Sequence, residues 1–158
     1  LVEYYSKGEN LELESLPVVP GCSDQTLQVK VTPGTKIRNV ISETLRKFQN
    51  ENQLLFVGSG AATGKVITCA EVVKKRLKKL HQITILGYKK VEEYWEPKTE
   101  GLDRLKVVRE IPTIFILLSK QPLDATVPGY QPPNSSGDEF WKSKPRAKGR
   151  KSIKQKSN

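Results

Sequence analysis

The sequence predicts an α+β fold of two layers, a four-stranded mixed sheet with both helices on one face, in the order β-α-β-α-β-β. Three observations predict it. Two segments carry apolar residues at helical spacing, a strand-like segment precedes each of them, and two longer strand-like segments close the series.

The first strand is QTLQVKV, in which Leu27, Val29 and Val31 alternate with Gln28 and Lys30, so one face is apolar and the other polar. Pro33, Gly34 and Thr35 break that alternation. From Lys36 onward Ile37, Val40, Ile41, Leu45 and Phe48 fall on one side of a helix that runs to about Asn50. LLFVG is a short continuous apolar run, the pattern of a central strand. After a glycine-rich turn, Val66, Ala70, Val73, Leu77 and Leu80 mark the second helix. Its other side carries Lys74, Lys75, Lys78 and Lys79, and Glu71 is placed to pair with Lys75.

QITILGYKKVEEYW and LKVVREIPTIFILLS read as the last two strands, separated by EPKTEGLDR with Pro97 and Gly101 as turn signals. Pro112 has no N–H for a ladder, so a bulge or an edge is expected there. Residues 1–24 mix Pro, Gly and acids without periodicity and read as an irregular arm, which leaves 25–120 as the folded domain. From Gln121 the chain turns to Pro, Gly and Ser and then to Lys and Arg, so 121–158 reads as a disordered tail.

The charge is unevenly placed. Residues 140–158 hold Lys142, Lys144, Arg146, Lys148, Arg150, Lys151, Lys154 and Lys156 and no acid, so the net +10 divides into +8 there and +2 over the rest. A basic tail on a nearly neutral body suits a polyanion partner, nucleic acid first, with a solvated tail as the alternative. Cys22 and Cys69 are too few for a disulfide framework, which agrees with a reducing compartment, and the single histidine, His81, has no companion at metal-ligand spacing. No apolar run approaches the ~20 residues of a membrane span. No nucleophile sits beside a histidine at motif spacing, so no catalytic residue, metal or cofactor is expected.

The turn GSGAATGK invites comparison with a P-loop and fails it. The leading glycine should stand at Ser59, and the residue after Lys65 should be Ser or Thr, where Val66 stands. A strand, a flexible turn and a helix start still favour an anion. In the first turn, VTPGTKIRN, Lys36 and Arg38 open a helix against its dipole. They either clamp phosphates or are exposed charges without a ligand, and Asn39 is placed to bond the turn or a sugar hydroxyl. If the first two strands lie side by side, both turns share one edge of the molecule. Trp95, Lys98 and Arg104 mark a basic, aromatic loop between the last strands; Trp95 either stacks a base or caps the core.

GTKIRN, a strand ending in GSG, GK followed by CAEVVKKR and LHQIT, and then PLD and GYQPP together resemble the Alba superfamily. Within it they are most similar to the eukaryotic branch that includes the larger Alba-like subunit of ribonuclease P and ribonuclease MRP. The likeness runs from about Leu27 to Pro133. It implies an Alba-like fold and a non-catalytic, RNA-binding protein of the nucleus and nucleolus, serving tRNA and rRNA processing. It also implies a smaller Alba-like subunit as heterodimer partner and a helical domain of the ribonuclease P/MRP RNA as ligand. The family's binding lysine corresponds to Lys36, beside Arg38 and Asn39; its second-turn contacts correspond to Ser59, Gly60 and on to Lys65; its mobile hairpin corresponds to about Glu96 to Arg104, with Lys98 inside it. Ala61 stands where the family often has arginine. The apolar run Ile114 to Leu118, more than one sheet face needs to bury, adds to the expectation of a partner.

Overall fold

The computed structural model describes residues 3–13 and 18–133. Its elements are β1 (Tyr5–Leu13), β2 (Leu27–Val31), α1 (Ile37–Phe48), β3 (Gln53–Ser59), a short 3-10 turn (Gly60–Ala62), α2 (Thr63–Arg76), β4 (His81–Pro97), β5 (Leu105–Ser119) and β6 (Tyr130–Gln131). They form one sheet in the order β1-β4-β5-β3-β2, with β6 added to β4. Strands β2 and β3 are parallel, joined by the α1 crossover, and the remaining pairs are antiparallel.

The sheet therefore has six strands and not the four expected. The two additions lie in segments assigned above to the arm and to the tail. Strand β1, YSKGENLEL, has no apolar alternation because it is held by main-chain pairing and by ion pairs, Lys89–Glu12 at 2.6 Å and Lys7–Glu93 at 3.9 Å. Its register against β4 shifts between Lys7 and Asn10. Strand β6 is two residues long, too short for any period to register. The tail expected beyond it lies outside the described residues from position 134.

Alternation of side chains along the strands divides the core in two. On the helix side Leu54 and Phe56 of β3 and Ile114, Ile116 and Leu118 of β5 meet Ile41 and Phe48 of α1 and Val66, Cys69, Ala70 and Val73 of α2. On the opposite side Leu55, Phe115, Leu117 and Ile83 of β4 are covered by Val19, with Leu123, Val127 and Tyr130 packed around them. The run Ile114 to Leu118 is thus consumed within this chain, at 4%, 4%, 2%, 0% and 0% exposure. It is no surplus that demands a partner, because the segments around Val19 and from Leu123 to Tyr130 cover the second face.

Helix α1 ends where its apolar stripe ends. The Lys120 ammonium donates to the Phe48 carbonyl at 2.6 Å and lies 4.5 Å over the Phe48 ring, a cation placed on the negative end of the helix. Helix α2 stops at Arg76, earlier than the spacing of Leu77 and Leu80 suggests. Lys79 takes a left-handed φ of 64°, the chain turns, and Leu80 still reaches the core.

Beyond the body, β4 and β5 run on as a long arm. Strand β3 ends with Ser59 opposite Thr113, but β4 and β5 stay paired as far as Trp95 opposite Leu105. Eight residues of β5 at ~3.4 Å each make an arm of about 27 Å. Pro112 sits where β5 loses β3 as its neighbour, which is the edge position expected of it, and the β4–β5 register passes through Tyr88–Pro112.

Gly129 shows how tightly the covering segment is seated. Its φ is 85°, a Cβ there would stand 2.3 Å from the Thr84 carbonyl oxygen, and its own carbonyl accepts from the Thr84 N–H at 3.1 Å. Gly129→Ala adds strain and overlap together, so it should destabilise the chain by about 2–4 kcal/mol. Urea unfolding should show a lower midpoint with an unchanged slope.

Candidate nucleic-acid interface

The first turn holds itself together through two threonines. The Thr32 N–H donates to the Thr35 hydroxyl at 2.9 Å, the Thr35 N–H returns to the Thr32 carbonyl at 3.0 Å, and the two hydroxyls are 2.9 Å apart. Lys36 follows as the N-cap of α1, with no side chain capping the helix and no acid in its first turn. Lys36, Arg38 and Asn39 are all exposed. A helix start that no side chain caps, flanked by cations and with no acid in its first turn, is a site of positive potential.

The second turn stands beside it because β2 and β3 are parallel and end level, Val31 opposite Gly58. The Val66 side chain packs over Gly58 so closely that a Cβ there would lie 2.5 Å from it, which brings the start of α2 down onto the strand. Gly60 turns the chain at a φ of 57°. The Ser59 hydroxyl is 2.8 Å from that of Thr113, and the Thr63 hydroxyl donates to the Gly60 carbonyl at 3.0 Å. Helix α2, like α1, starts with no side-chain cap and no acid. Ala61 is exposed between the two glycine-turn contacts.

One contact was not legible in the sequence. The Lys65 ammonium donates to the carbonyl oxygens of Pro33, at 2.5 Å, and of Thr35, at 2.9 Å. It bridges the two turns. The val-for-hydroxyl substitution at Val66 is explained by the same geometry, since that side chain is wholly buried in the core and faces no ligand.

The structure thus brings together Lys36, Arg38, Asn39, Ser59, Gly60 and Lys65. Lys98 and Arg104 are elsewhere, at the tip of the arm about 27 Å away. Antiparallel pairing sends that arm outward from the same edge as the turns, since β5 continues past Ser59. The Arg104 guanidinium bonds Glu96 at 2.6 Å and lies 4.3 Å over the Tyr94 ring, while the Lys98 N–H donates to the Tyr4 carbonyl at 2.8 Å. Trp95 is half-buried at the last rung, opposite Leu105.

Charges on the arm are paired across strands. Lys106 bonds Glu92 at 2.8 Å, and this bond, with a second from the Tyr94 hydroxyl, holds the Glu92 carboxyl below the usual range and raises Lys106. Lys89 does the same to Glu12. Of the remaining candidates for chemistry, His81 Nδ1 is 2.7 Å from the Tyr130 hydroxyl and stacks on that ring. Cys69 is buried, and burial pushes its thiol up while Lys65 nearby draws it partly back. Among the described residues no group of three or more His, Cys, Asp or Glu converges to hold a metal ion, and no helix is long and apolar enough to cross a membrane.

A mixed sheet carrying two helices on one face, with paired turns at the end of its parallel strands, is the Alba fold, and the family model described as Alba matches residues 27–90. The chain belongs to the Alba family. It is 39% identical over 138 residues to the ribonuclease P protein subunit p25-like protein of Homo sapiens, spanning 85% of this chain and 85% of that one. It is 38% identical over 120 residues to the ribonuclease P protein subunit p25 of Homo sapiens, spanning 68% of this chain and 60% of that one. A more distant relative is the DNA/RNA-binding protein ALBA1 of Plasmodium falciparum (isolate 3D7), 29% identical over 108 residues that make up 67% of this chain and 44% of that one.

Proposed function

We propose that this chain is an RNA-binding accessory subunit of the ribonuclease P/MRP ribonucleoprotein, acting in tRNA and rRNA processing by gripping a helical domain of the enzyme's RNA and not by cutting it. The observation that carries the reading is the parallel pairing of β2 and β3, which sets the cations of one helix start beside a second helix start that no side chain caps and no acid flanks. A duplex backbone laid on that edge would meet Lys36 and Arg38 at one phosphate and the Ser59 to Ala62 turn at another. The arm would rise along the groove, with Lys98 and Arg104 at its far end. The names of the human p25-like and p25 relatives support ribonuclease P as the particular ribonucleoprotein. The extension to the MRP particle and to a nuclear, nucleolar location rests on the family resemblance. A second reading, a paralogue serving other RNAs or chromatin, draws on the p25-like name and on that of ALBA1. A nucleotide-hydrolysing P-loop has less support, since Lys65 is spent on two carbonyls and Val66 on the core.

Sequencing the RNA that copurifies with the tagged full chain from cells tests the assignment. Strong enrichment of ribonuclease P or MRP RNA supports it, and a mixed population without that RNA favours the paralogue.

At the level of single residues, Lys36→Ala and Arg38→Ala should each weaken binding to a duplex RNA about equally across sequences and lower the salt slope by about 0.7–0.9. Ala61→Arg, at an exposed position of the same edge, should raise the affinity and steepen the slope by a similar amount. Filter binding at four or five salt concentrations reads both directions. Unchanged slopes in all three variants would remove the edge as a phosphate site.

The smaller Alba-like partner finds its support on the arm. Leu86 and Tyr88 are 77% and 63% exposed and lie opposite Ile114 and Pro112, on the side that carries the helices, and Val108 at 52% shares that side. We assign this apolar face to the partner subunit. Leu86→Glu with Tyr88→Glu should abolish the one-to-one complex in coexpression and size exclusion. The melting temperature of the free chain should hardly change, because neither side chain is buried.

A further inference from the structure

We infer that Lys65 is a positioning residue, whose ammonium group fixes the shape of the Thr32 to Lys36 turn and so presents Lys36 and Arg38, and that it does not itself contact the RNA backbone. This rests on the reading of that edge as the RNA-binding surface.

The argument begins with the number of donors. An ammonium has three N–H bonds, and Lys65 aims two of them at the carbonyl oxygens of Pro33 and Thr35, 2.5 and 2.9 Å away. These carbonyls lie on either side of Gly34, so the cation closes the turn from outside, much as a bound ion would. The turn has little else to hold it. Its other bonds run between its own residues Thr32 and Thr35, and Thr32, Pro33 and Gly34 are exposed. Lys65, by contrast, comes from the first turn of α2, which is anchored by Val66 and Cys69 at 0% exposure. The contact therefore ties an exposed turn to a rigid helix across more than thirty positions of sequence.

The charge argument agrees. Lys65 forms no ion pair among the described residues, and two carbonyl dipoles offset its charge in place of a carboxylate. Withdrawing it toward a phosphate would break both bonds and free the turn that carries Lys36. Lys65 and Lys36 thus act at different steps, one on shape and one on charge.

The test compares wild type, Lys65→Met, Lys65→Arg, Lys65→Met with Gly34→Ala, and Lys36→Ala, all as the full chain, with a duplex RNA hairpin as probe. Methionine keeps the aliphatic stem of Lys65 and removes only the ammonium. A Cβ on Gly34 meets nothing within 4 Å, and this glycine is not among those with positive φ, so alanine there stiffens the turn without adding charge. In the free protein, Lys65→Met should speed amide hydrogen exchange at Thr32 and Thr35 by about tenfold while the α2 amides stay as they were. It should weaken RNA binding about tenfold at every salt concentration, giving a line parallel to wild type, whereas Lys36→Ala should lower the slope by about 0.7–0.9. Gly34→Ala should restore several-fold of the lost affinity, and Lys65→Arg should keep most of it.

A fall in slope for Lys65→Met equal to that for Lys36→Ala, with exchange at Thr32 and Thr35 unchanged, would make Lys65 a phosphate contact and overturn the inference. So would a Lys65→Met protein whose turn and affinity are both unaltered. If Lys36→Ala leaves affinity and slope untouched, the RNA reading of the edge is what fails, and the exchange data on the free protein still decide what Lys65 does to the turn.

Discussion

The parallel contact between β2 and β3 is the constraint on which the site depends. Parallel strands cannot be joined by a tight turn, so the chain must cross over, and the crossover here is α1. Because both strands point the same way and end level, both following turns and both helix starts emerge at one edge. The buried stripe of α1, Ile41 and Phe48, and that of α2, Val66, Cys69, Ala70 and Val73, then press onto a shared patch of sheet around Phe56 and Ile116. Hydrophobic burial sets the positions of the helices, and the helix starts fall into place as a consequence. No charged residue has to be buried to build the edge.

The arm is stabilised differently. Past Thr113 there is no helix over the sheet and no β3 beside it, so the strands are held by main-chain ladders, by β1 as a third strand and by ion pairs on their faces. Glu92 and Glu12 are both drawn below the usual carboxylate range by their lysines. The sign follows directly: a depressed acid contributes above its unfolded value, near pH 4.3, and that contribution is lost as pH falls through the folded value. Such exposed pairs are worth little each, so the arm relies on its main-chain ladders to resist bending.

How much of this the sequence disclosed depended on what held each element. Helices and central strands were legible because burial imposes a period, and Leu54, Phe56, Val66 and Val73 sit in the core where their spacing put them. The same rule misled at Leu77 and Leu80, whose burial continues after the helix has ended. Strand β1 and the segment around Gly129 gave no period, the first because its pairing is main-chain and ionic, the second because it covers the sheet as a loop. The run Ile114 to Leu118 read as excess because a cover for the second face could not be foreseen. At the edge, residue types were enough to nominate Lys36, Arg38, Asn39 and Gly60, and the family resemblance added Ser59, but a side chain that bonds two carbonyls thirty residues back leaves no mark in composition, and Lys65 looked like one more cation.

Among the described residues the sheet has two margins, β1 with the short β6 on one side and β2 on the other. Each exposes main-chain donors and acceptors to any passing strand, the usual route to edge-to-edge association. Strand β2 is five residues long and carries the exposed Lys30 near its end, while β1 is broken by its register shift and bears Lys7, Glu9 and Glu12. The irregular N-terminal strand therefore serves a purpose beyond bracing the arm: a long, flat, two-stranded hairpin would otherwise present its full length as a template, and a kinked, charged margin leaves an incoming strand no continuous register to extend.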